Sequence, residues 1–273
     1  MGDPRTEFSE TEAGKPSSPA CVSVPITDLL READPSRTPE MQLLHGDIFD
    51  ISLREGAWCY GAALNPISGA RDYVGWVRGE ALSYEVETPT HRVSSLRAPV
   101  FREPDLKTRI GEFLPLGARI SARGEAVGNG GVYHKLPSGG FVSDKHVASA
   151  DGEWVEDWVD VAEALQGLPY VWGGNGPDGM DCSGLVRMAL HEAGVACPRD
   201  ADQQEEALGD ALEPDAQLMN LVRGDLVFWP GHVGVMQTSG RLLHANAHHM
   251  RVATEPLRDA VARIGPIRTV KRL

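Results

Sequence analysis

One cysteine in the C-terminal half of the chain has the surroundings of a catalytic nucleophile. Cys182 follows a turn-rich segment that contains four glycines and stands where a helix is predicted to begin. The first N–H groups of a helix have no intrahelical partner, and the helix dipole is positive there. We therefore expect the pKa of Cys182 to fall below the usual ~8.5 of a thiol. The same N–H groups could bind an oxyanion during acyl transfer.

Two histidines in the strands that follow could complete a catalytic group with this cysteine. His232 opens one predicted strand and His244 closes the next. With a three-residue hairpin loop at residues 238–240, His244 lies opposite Gly234, on the same face as His232 and one diagonal step away. A two-residue loop would place the histidines on opposite faces. In the first register Cys182 attacks, His232 takes its proton and His244 orients His232.

A buried structural cysteine and a zinc site are the alternatives to this triad. Cysteine and histidine are also zinc ligands, but the three residues lack paired ligand spacing and Cys197 offers no obvious fourth position. Cys21 falls in a predicted tail and Cys59 in a predicted strand, so neither is expected to take part. We expect no metal and no organic cofactor.

The charge of the chain limits the partners it can have. The chain of 273 residues has 26 Lys and Arg against 39 Asp and Glu, a net charge of -13. Nucleic-acid binding requires cationic neutralisation of phosphates, and anionic lipid attracts basic segments, so both partners are unexpected. The first twenty residues are polar and lack a basic segment followed by an apolar run. We therefore expect no signal peptide and a cytoplasmic location, and oligomeric state is left open.

The pattern along the chain predicts a multi-domain protein. Residues 1–22 are polar and predict a disordered tail. Residues 23–88 and 89–150 contain short apolar runs bounded by turn residues, which predicts two small all-β barrels. Their endings, Gly-Trp-Val and Gly-Phe-Val, suggest a duplication offset by about 65 residues. Residues 155–273 predict helices followed by an antiparallel sheet, which is an α+β domain.

The predicted elements of this last domain are short and closely spaced. Helices are expected over residues 154–166, 181–193 and 202–208. Strands are expected over residues 225–229, 232–237, 241–245 and 267–271.

Three motifs in this domain carry a resemblance to a known family. They are the run from Tyr170 to Gly174 continued by Asp181 to Val186, the run from Arg223 to Val235, and Leu243 to Ala245. They resemble the motifs of NlpC family cysteine peptidases, and the two β-rich modules resemble bacterial SH3-like domains. The resemblance implies a papain-like catalytic domain that hydrolyses amide bonds in cell-wall peptides, with Cys182, His232 and His244 as its catalytic residues.

The same resemblance assigns roles to residues around the nucleophile. It implies that Tyr170 supports the oxyanion or substrate, and that Asp181 and Ser183 contact the peptide on either side of Cys182. Asp200 would pair with a substrate ammonium group.

The order of the modules resembles that of γ-D-glutamyl-L-diamino acid endopeptidases, in which the first SH3-like module helps close the site. Tyr73 and Glu40 are the candidates for that contact. The implied reaction is hydrolysis of the γ-D-glutamyl–diamino acid bond, with meso-diaminopimelate or Lys, in small murein peptides with a free N-terminal L-Ala during cell-wall recycling. The alternatives are an exported hydrolase of intact peptidoglycan, a non-catalytic protein that binds wall peptides, and an acyltransferase or amidase.

Overall fold

The structure, a computed structural model, describes residues 3–8, 17–215 and 217–273. It divides into two compact units, Met1–Glu153 and Trp154–Leu273. Within the described ranges, no helix combines the length and apolar character needed to cross a membrane.

The first half of the first unit is a β-structure with an apolar core. Its strands are β1 (Ser18–Val22), β2 (Ile26–Leu29), β3 (Met41–Leu44), β4 (Ile48–Glu55), β5 (Trp58–Leu64), β6 (Arg71–Arg78) and β7 (Leu82–Ser83). Five of them form a sheet in the order β6-β5-β4-β1-β7, and β2 and β3 form a separate hairpin. Alternate side chains such as those of Phe49 and Ile51 point into one buried cluster.

The predicted tail is wrong over its last residues. Ser18–Val22 is strand β1, which pairs with β4 from Ser18 opposite Ile51 to Cys21 opposite Ile48. Ala20 and Val22 are buried in the core of this half, where the pairing with β4 places them. Residues 1–2 and 9–16 of the predicted tail lie outside the described residues.

The second half of this unit repeats part of that plan. Its strands are β8 (His91–Val93), β9 (Arg97–Phe101), β10 (Ile110–Pro115), β11 (Arg119–Ile120), β12 (Glu125–Gly128), β13 (Gly131–Lys135), β14 (Phe141–Ser143) and β15 (Val147–Ser149). They form sheets in the orders β10-β9-β14-β13-β12 and β11-β8-β15. In both halves three consecutive strands form a meander, β4-β5-β6 and β12-β13-β14, and the first and last strands pair with each other.

The second unit packs helices against an antiparallel sheet. Its elements are α1 (Trp158–Ala164), β16 (Asn175–Gly176), β17 (Gly179–Met180), α2 (Cys182–Glu192), α3 (Ala201–Ala207), β18 (Asp210–Leu212), β19 (Leu226–Trp229), β20 (His232–Thr238), β21 (Arg241–Asn246), β22 (Arg251–Pro256), α4 (Leu257–Ile264) and β23 (Thr269–Arg272). Six strands form one sheet in the order β18-β23-β19-β20-β21-β22, and α2 packs against β20 and β21.

The observed elements of this unit follow the predicted ones, with a few differences. The first helix begins at Trp158 instead of residue 154, because the Asp157 carboxylate caps it by accepting a hydrogen bond from the Val159 N–H at 3.0 Å. The sequence pattern missed β22 and α4, and also the short strands β16, β17 and β18. Each of these elements is too short to show a clear apolar periodicity of its own.

Candidate active site

The nucleophile candidate is held at the first turn of α2. Cys182 is the first residue of the helix and is 7% exposed. The carboxylate of Asp181 caps the helix by accepting a hydrogen bond from the Gly184 N–H at 2.7 Å, and it also accepts one from the Gly173 N–H at 2.9 Å. One acidic side chain therefore ties the glycine-rich loop to the helix start.

Gly184 allows the loop and the helix to approach each other closely. A Cβ at this position would lie 2.4 Å from the carbonyl oxygen of Gly174, a distance that no side chain can adopt. A glycine one turn after the cap is therefore needed for Cys182 to stand where the loop meets the helix.

A buried arginine holds the residues on both sides of Cys182. Arg199 is 1% exposed and donates hydrogen bonds to Asp181 Oδ1 at 2.9 Å and to Ser183 Oγ at 2.8 Å. Asp181 and Ser183 are themselves buried, and the Ser183 hydroxyl also bonds to the Asp181 carboxylate at 3.2 Å. Their side chains are therefore engaged with the protein, which leaves backbone groups as the part of this segment that can meet a peptide. Sequence reasoning missed Arg199.

The two histidines share one face of the sheet, as the sequence predicts, although the hairpin differs from the prediction. Thr238 pairs with Arg241, so the loop has two residues, and a β-bulge between Met236 and Thr238 shifts the register by one. Beyond the bulge Val235 pairs with Leu243. The extra residue thus restores the pairing that places the histidines on the same side.

The geometry of the histidine pair is that of a direct hydrogen bond. His232 Nε2 lies 2.8 Å from His244 Nδ1, and the ring centroids are 5.1 Å apart. Gly234 makes room for this arrangement, because a Cβ there would lie 3.1 Å from the Cβ of His244 and 2.8 Å from a methyl group of Leu242.

Cys182 lies beside the strand that carries His232, and Tyr170 lies near Cys182. The backbone N–H of Val233, the residue after His232, donates a hydrogen bond to the Cys182 sulfur. Tyr170 lies close enough to Cys182 and Asp181 for their negative charges to act on it. Together with burial, the largest effect, they raise the pKa of its hydroxyl to about 12. Tyr170 therefore stays protonated and can donate a hydrogen bond at the nucleophile.

Burial keeps the resting nucleophile and base neutral. It raises the pKa of Cys182 to about 11, aided by the charge of Asp181, and outweighs the hydrogen bonds from the N–H groups of Val233 and Ser183. The predicted lowering of this pKa is therefore wrong, because the desolvation of the side chain exceeds the effect of the helix start. Burial, His244 and Arg263 lower the pKa of His232 to about 4. The resting thiol and the resting imidazole are therefore both neutral, and the imidazole is in the form that can accept a proton.

These pKa values predict the acid side of the activity profile. His232 can accept a proton only while neutral, so kcat/KM should be constant as pH falls from 7 and should decline near pH 4. A decline near the ordinary histidine value of ~6.5 would contradict this expectation. The measurement is kcat/KM between pH 3 and 8, with circular dichroism at each pH to separate titration from acid unfolding.

A carboxylate and an arginine extend the polar chain behind His244. Glu255 Oε1 lies 2.7 Å from His244 Nε2, and Arg263 donates to both oxygens of that carboxylate. These two residues lie on β22 and α4, the elements missed in the sequence. A Glu and an Arg eight residues apart give no local signal, since only the register between β21 and β22 brings Glu255 beside His244.

The other predicted site residues have distinct environments. Asp200 is the N-cap residue of α3, with its carboxylate accepting a backbone N–H within a capping box. Tyr73 is 2% exposed and belongs to the apolar core of the first unit. Glu40 accepts a hydrogen bond from Arg31 Nε at 2.9 Å. The substrate contacts expected of Tyr73 and Glu40 stay predictions.

A metal ion is a poor fit to the histidines. Among the described residues, potential ligand atoms of His244, His249 and Glu255 lie within 4.8 Å of one another. The Glu255 carboxylate already accepts hydrogen bonds from His244 and Arg263, and His249 Nδ1 lies 3.0 Å from Asn246 Oδ1. These ligand atoms are therefore already engaged in hydrogen bonds within the protein, which a metal ion would have to displace.

A cysteine at a helix start with a paired histidine on an adjacent sheet defines a site of the thiol-peptidase class. The comparisons with known proteins agree. The NlpC/P60 family model matches residues 167–263. The chain is 36% identical over 115 residues to the bifunctional muramidase/DL-endopeptidase CwlT of Bacillus subtilis, which covers 38% of this chain and 33% of CwlT. It is 32% identical over 155 residues to the peptidoglycan endopeptidase RipB of Mycobacterium tuberculosis, covering 50% of this chain and 62% of RipB.

Two further matches extend over most of the chain. The γ-D-glutamyl-L-lysine dipeptidyl-peptidase of Bacillus subtilis is 28% identical over 231 residues, with 76% of this chain and 72% of the relative covered. The crystal structure of an NlpC/P60 family protein from Bacillus cereus superimposes with a TM-score of 0.76 at 19% identity, covering 93% of this chain and 99% of that one, which shows a shared fold. The second unit therefore carries an NlpC/P60 domain, homologous to this dipeptidyl-peptidase and to other NlpC/P60 endopeptidases. The chain spans about a third of the length of CwlT, the first of these curated relatives.

Proposed function

We propose that the protein is a cysteine endopeptidase that hydrolyses the γ-D-glutamyl–diamino acid bond of murein peptides with a free N-terminal L-Ala. The observation that carries the catalytic part is the 2.8 Å contact of His232 with His244 beside a thiol that accepts the Val233 N–H. In this proposal His232 is the base for Cys182, and His244 orients His232.

The reaction follows from these positions. The Cys182 sulfur attacks the carbonyl carbon of the γ-D-glutamyl group while its proton passes to His232. The imidazolium gives this proton to the departing amine of the diamino acid, which leaves a thioester on Cys182. His232 then removes a proton from water, which attacks the thioester; the C–S bond breaks, the carboxylate is released, and the proton returns from His232 to the Cys182 sulfur. Tyr170 donates a hydrogen bond to the oxyanion in both halves of the reaction.

Likeness to the γ-D-glutamyl-L-lysine dipeptidyl-peptidase supports the choice of substrate. That match covers 76% of this chain, and therefore reaches into the first unit, whereas the match to CwlT covers 38%. We interpret the two halves of the first unit as SH3-like modules, on the basis of their shared meander and strand pairing. In this proposal the first module contributes to the recognition of a short peptide, with Tyr73 and Glu40 as candidates.

The test compares two peptides that differ only at the amino end. L-Ala-γ-D-Glu-meso-diaminopimelate and its N-acetylated form are incubated with the full chain, and the products are followed by mass spectrometry, with the Lys analogue as a second pair. Release of L-Ala-D-Glu from the free peptide alone would support the proposal. Absence of cleavage in every peptide would refute it in favour of a binding protein, acyltransferase or amidase.

An intact-peptidoglycan hydrolase is the second candidate, favoured by the 32% identity to RipB over half of this chain. Such an enzyme has no use for a free amino group. Cleavage of both the free and the acetylated peptide, together with solubilisation of purified sacculi, would select it. The recycling role and the cytoplasmic location stay predictions, and cell fractionation with an antibody to the protein tests the location.

The proposed amine recognition predicts the effect of a change at Asp200. Asp200→Asn removes the charge, while the amide oxygen still accepts the backbone N–H that caps α3. We expect KM for the free peptide to rise about 10- to 100-fold, because a hydrogen bond to a charged group contributes ~1.5–3 kcal/mol. Asp202→Asn, on the same helix, is the matched control. Unchanged KM in Asp200→Asn would remove this residue from the amine site.

A further inference from the structure

The polar chain at the active site continues beyond the two histidines. His244 is fully buried, and its Nε2 is 2.7 Å from Oε1 of Glu255, which is 7% exposed. Arg263 Nη1 donates to the other oxygen of the same carboxylate at 2.8 Å. Four side chains from β20, β21, β22 and α4 are therefore joined in one line from His232 to Arg263.

Arg263 fixes the protonation state of Glu255. Its hydrogen bonds, followed by the one from His244, overcome burial and lower the pKa of Glu255 to about 2. An ionised carboxylate has no proton to donate and can only accept. The 2.7 Å contact therefore requires a proton on His244 Nε2, and this leaves the Nδ1 of neutral His244 as a hydrogen-bond acceptor.

We propose that Glu255, held by Arg263, is a positioning residue that sets the tautomer of His244 and thereby aims the free nitrogen of His232 at Cys182. With His244 Nδ1 as acceptor, His232 Nε2 must donate across the 2.8 Å contact. The lone pair of neutral His232 then lies on Nδ1, the nitrogen left for the thiol. In the catalytic step the proton moves from Cys182 Sγ to His232 Nδ1 and is not passed on to His244. This inference rests on the proposed function for the role of Cys182 as nucleophile.

The effects of Glu255 and Arg263 on the histidines can be measured separately, because the two residues carry opposite charges. The charged and titratable groups that act on the pair are Glu255 on β22, Arg263 on α4 and His249 in the loop after β21. Glu255 raises the pKa of both histidines, whereas Arg263 lowers both. Removing the carboxylate and removing the guanidinium should therefore shift the acid limb, the acid side of the pH–activity profile, in opposite directions. The loss of an ion pair with only a structural role would not produce this difference.

The experiment begins with the tautomer in the unsubstituted protein. Histidine labelled with ¹⁵N gives two-bond ¹H–¹⁵N correlations that distinguish the two neutral tautomers, and His244 is assigned by the signals lost in His244→Gln. We expect His244 with its proton on Nε2. A proton on Nδ1 would overturn the proposal. This measurement needs no substrate and no active-site variant, so it decides the inference even if the murein peptides are not cleaved.

Variants then test the consequence for the nucleophile. In Glu255→Gln the side-chain amide can donate as well as accept, so we expect mixed tautomers and a 10- to 100-fold lower kcat, with KM within twofold. Alkylation of Cys182 by iodoacetamide, measured in a Cys21→Ser background, should slow similarly without any peptide. The acid limb should move to lower pH in Glu255→Gln and to higher pH in Arg263→Gln.

Glu205→Gln is the matched control, since Glu205 is also bound to an arginine, Arg268, in the same unit. It should leave the tautomer, alkylation rate and kcat unchanged, and Glu255→Asp should recover part of the activity. A lower kcat in Glu255→Gln with an unchanged tautomer and an unmoved acid limb would show a structural role only and would overturn the inference.

Discussion

Cys182→Ala is expected to lower kcat for L-Ala-γ-D-Glu-meso-diaminopimelate by at least about 10⁴-fold, because no other group at the site can form the thioester. KM should change little, since the Cys182 side chain is 7% exposed and contributes little surface to the peptide. Steady-state kinetics with the purified full chain checks both values. In a quenched single-turnover experiment, the variant should also lack the enzyme-bound dipeptide that the unsubstituted protein forms.

Cys197→Ala supplies the matched control in the same unit. Cys197 is fully buried, and its thiol donates to the carbonyl oxygen of Pro198 at 3.4 Å. Its substitution should leave kcat within about twofold, as expected for a side chain away from the reacting atoms. If Cys182→Ala kept more than a hundredth of the activity, the nucleophile would have to be another residue.

Arg199→Leu is expected to lower the free energy of unfolding by about 3–5 kcal/mol. Arg199 is buried and donates to Asp181 and Ser183, so its loss leaves the Asp181 carboxylate buried without a counter-charge. Urea unfolding followed by circular dichroism measures the change.

A double substitution separates the charge from the lost packing. Asp181→Asn combined with Arg199→Leu should be less destabilised than Arg199→Leu alone, since no unpaired charge remains. Arg268→Leu, at an exposed ion pair with Glu205, should cost less than about 1 kcal/mol. An Arg199→Leu cost as small as that of Arg268→Leu would show that this pair does not stabilise the start of α2.

Much of the site could be predicted from the sequence because its signals are local. Asp181 followed by Cys182 marks a helix start, and the predicted helix 181–193 differs from the observed Cys182–Glu192 by one residue at each end. Alternation along β20 and β21 placed His232 and His244 on one face. The hairpin loop itself was predicted incorrectly, and the pairing agreed only because the bulge before Thr238 compensates for the shorter loop.

The rest could not be predicted, because it depends on residues far apart in the chain. Arg199 is 18 positions from Asp181, and Glu255 is 11 positions from His244, with no periodicity that links either pair. The strand at Ser18–Val22 is held by pairing with β4, not by its own composition.

The sequence by itself supplied Cys182, His232 and His244 as candidates, through a helix-start signal, strand alternation and the resemblance of three motifs to a known family. Only the tertiary structure decided their protonation. Burial, which depends on every element packed around the site, raises the pKa of Cys182 and lowers that of His232 against the local effect of the helix start. The same packing brings Glu255 and Arg263 behind His244, because hydrogen bonds between separate elements exist only once the sheet and α4 have come together.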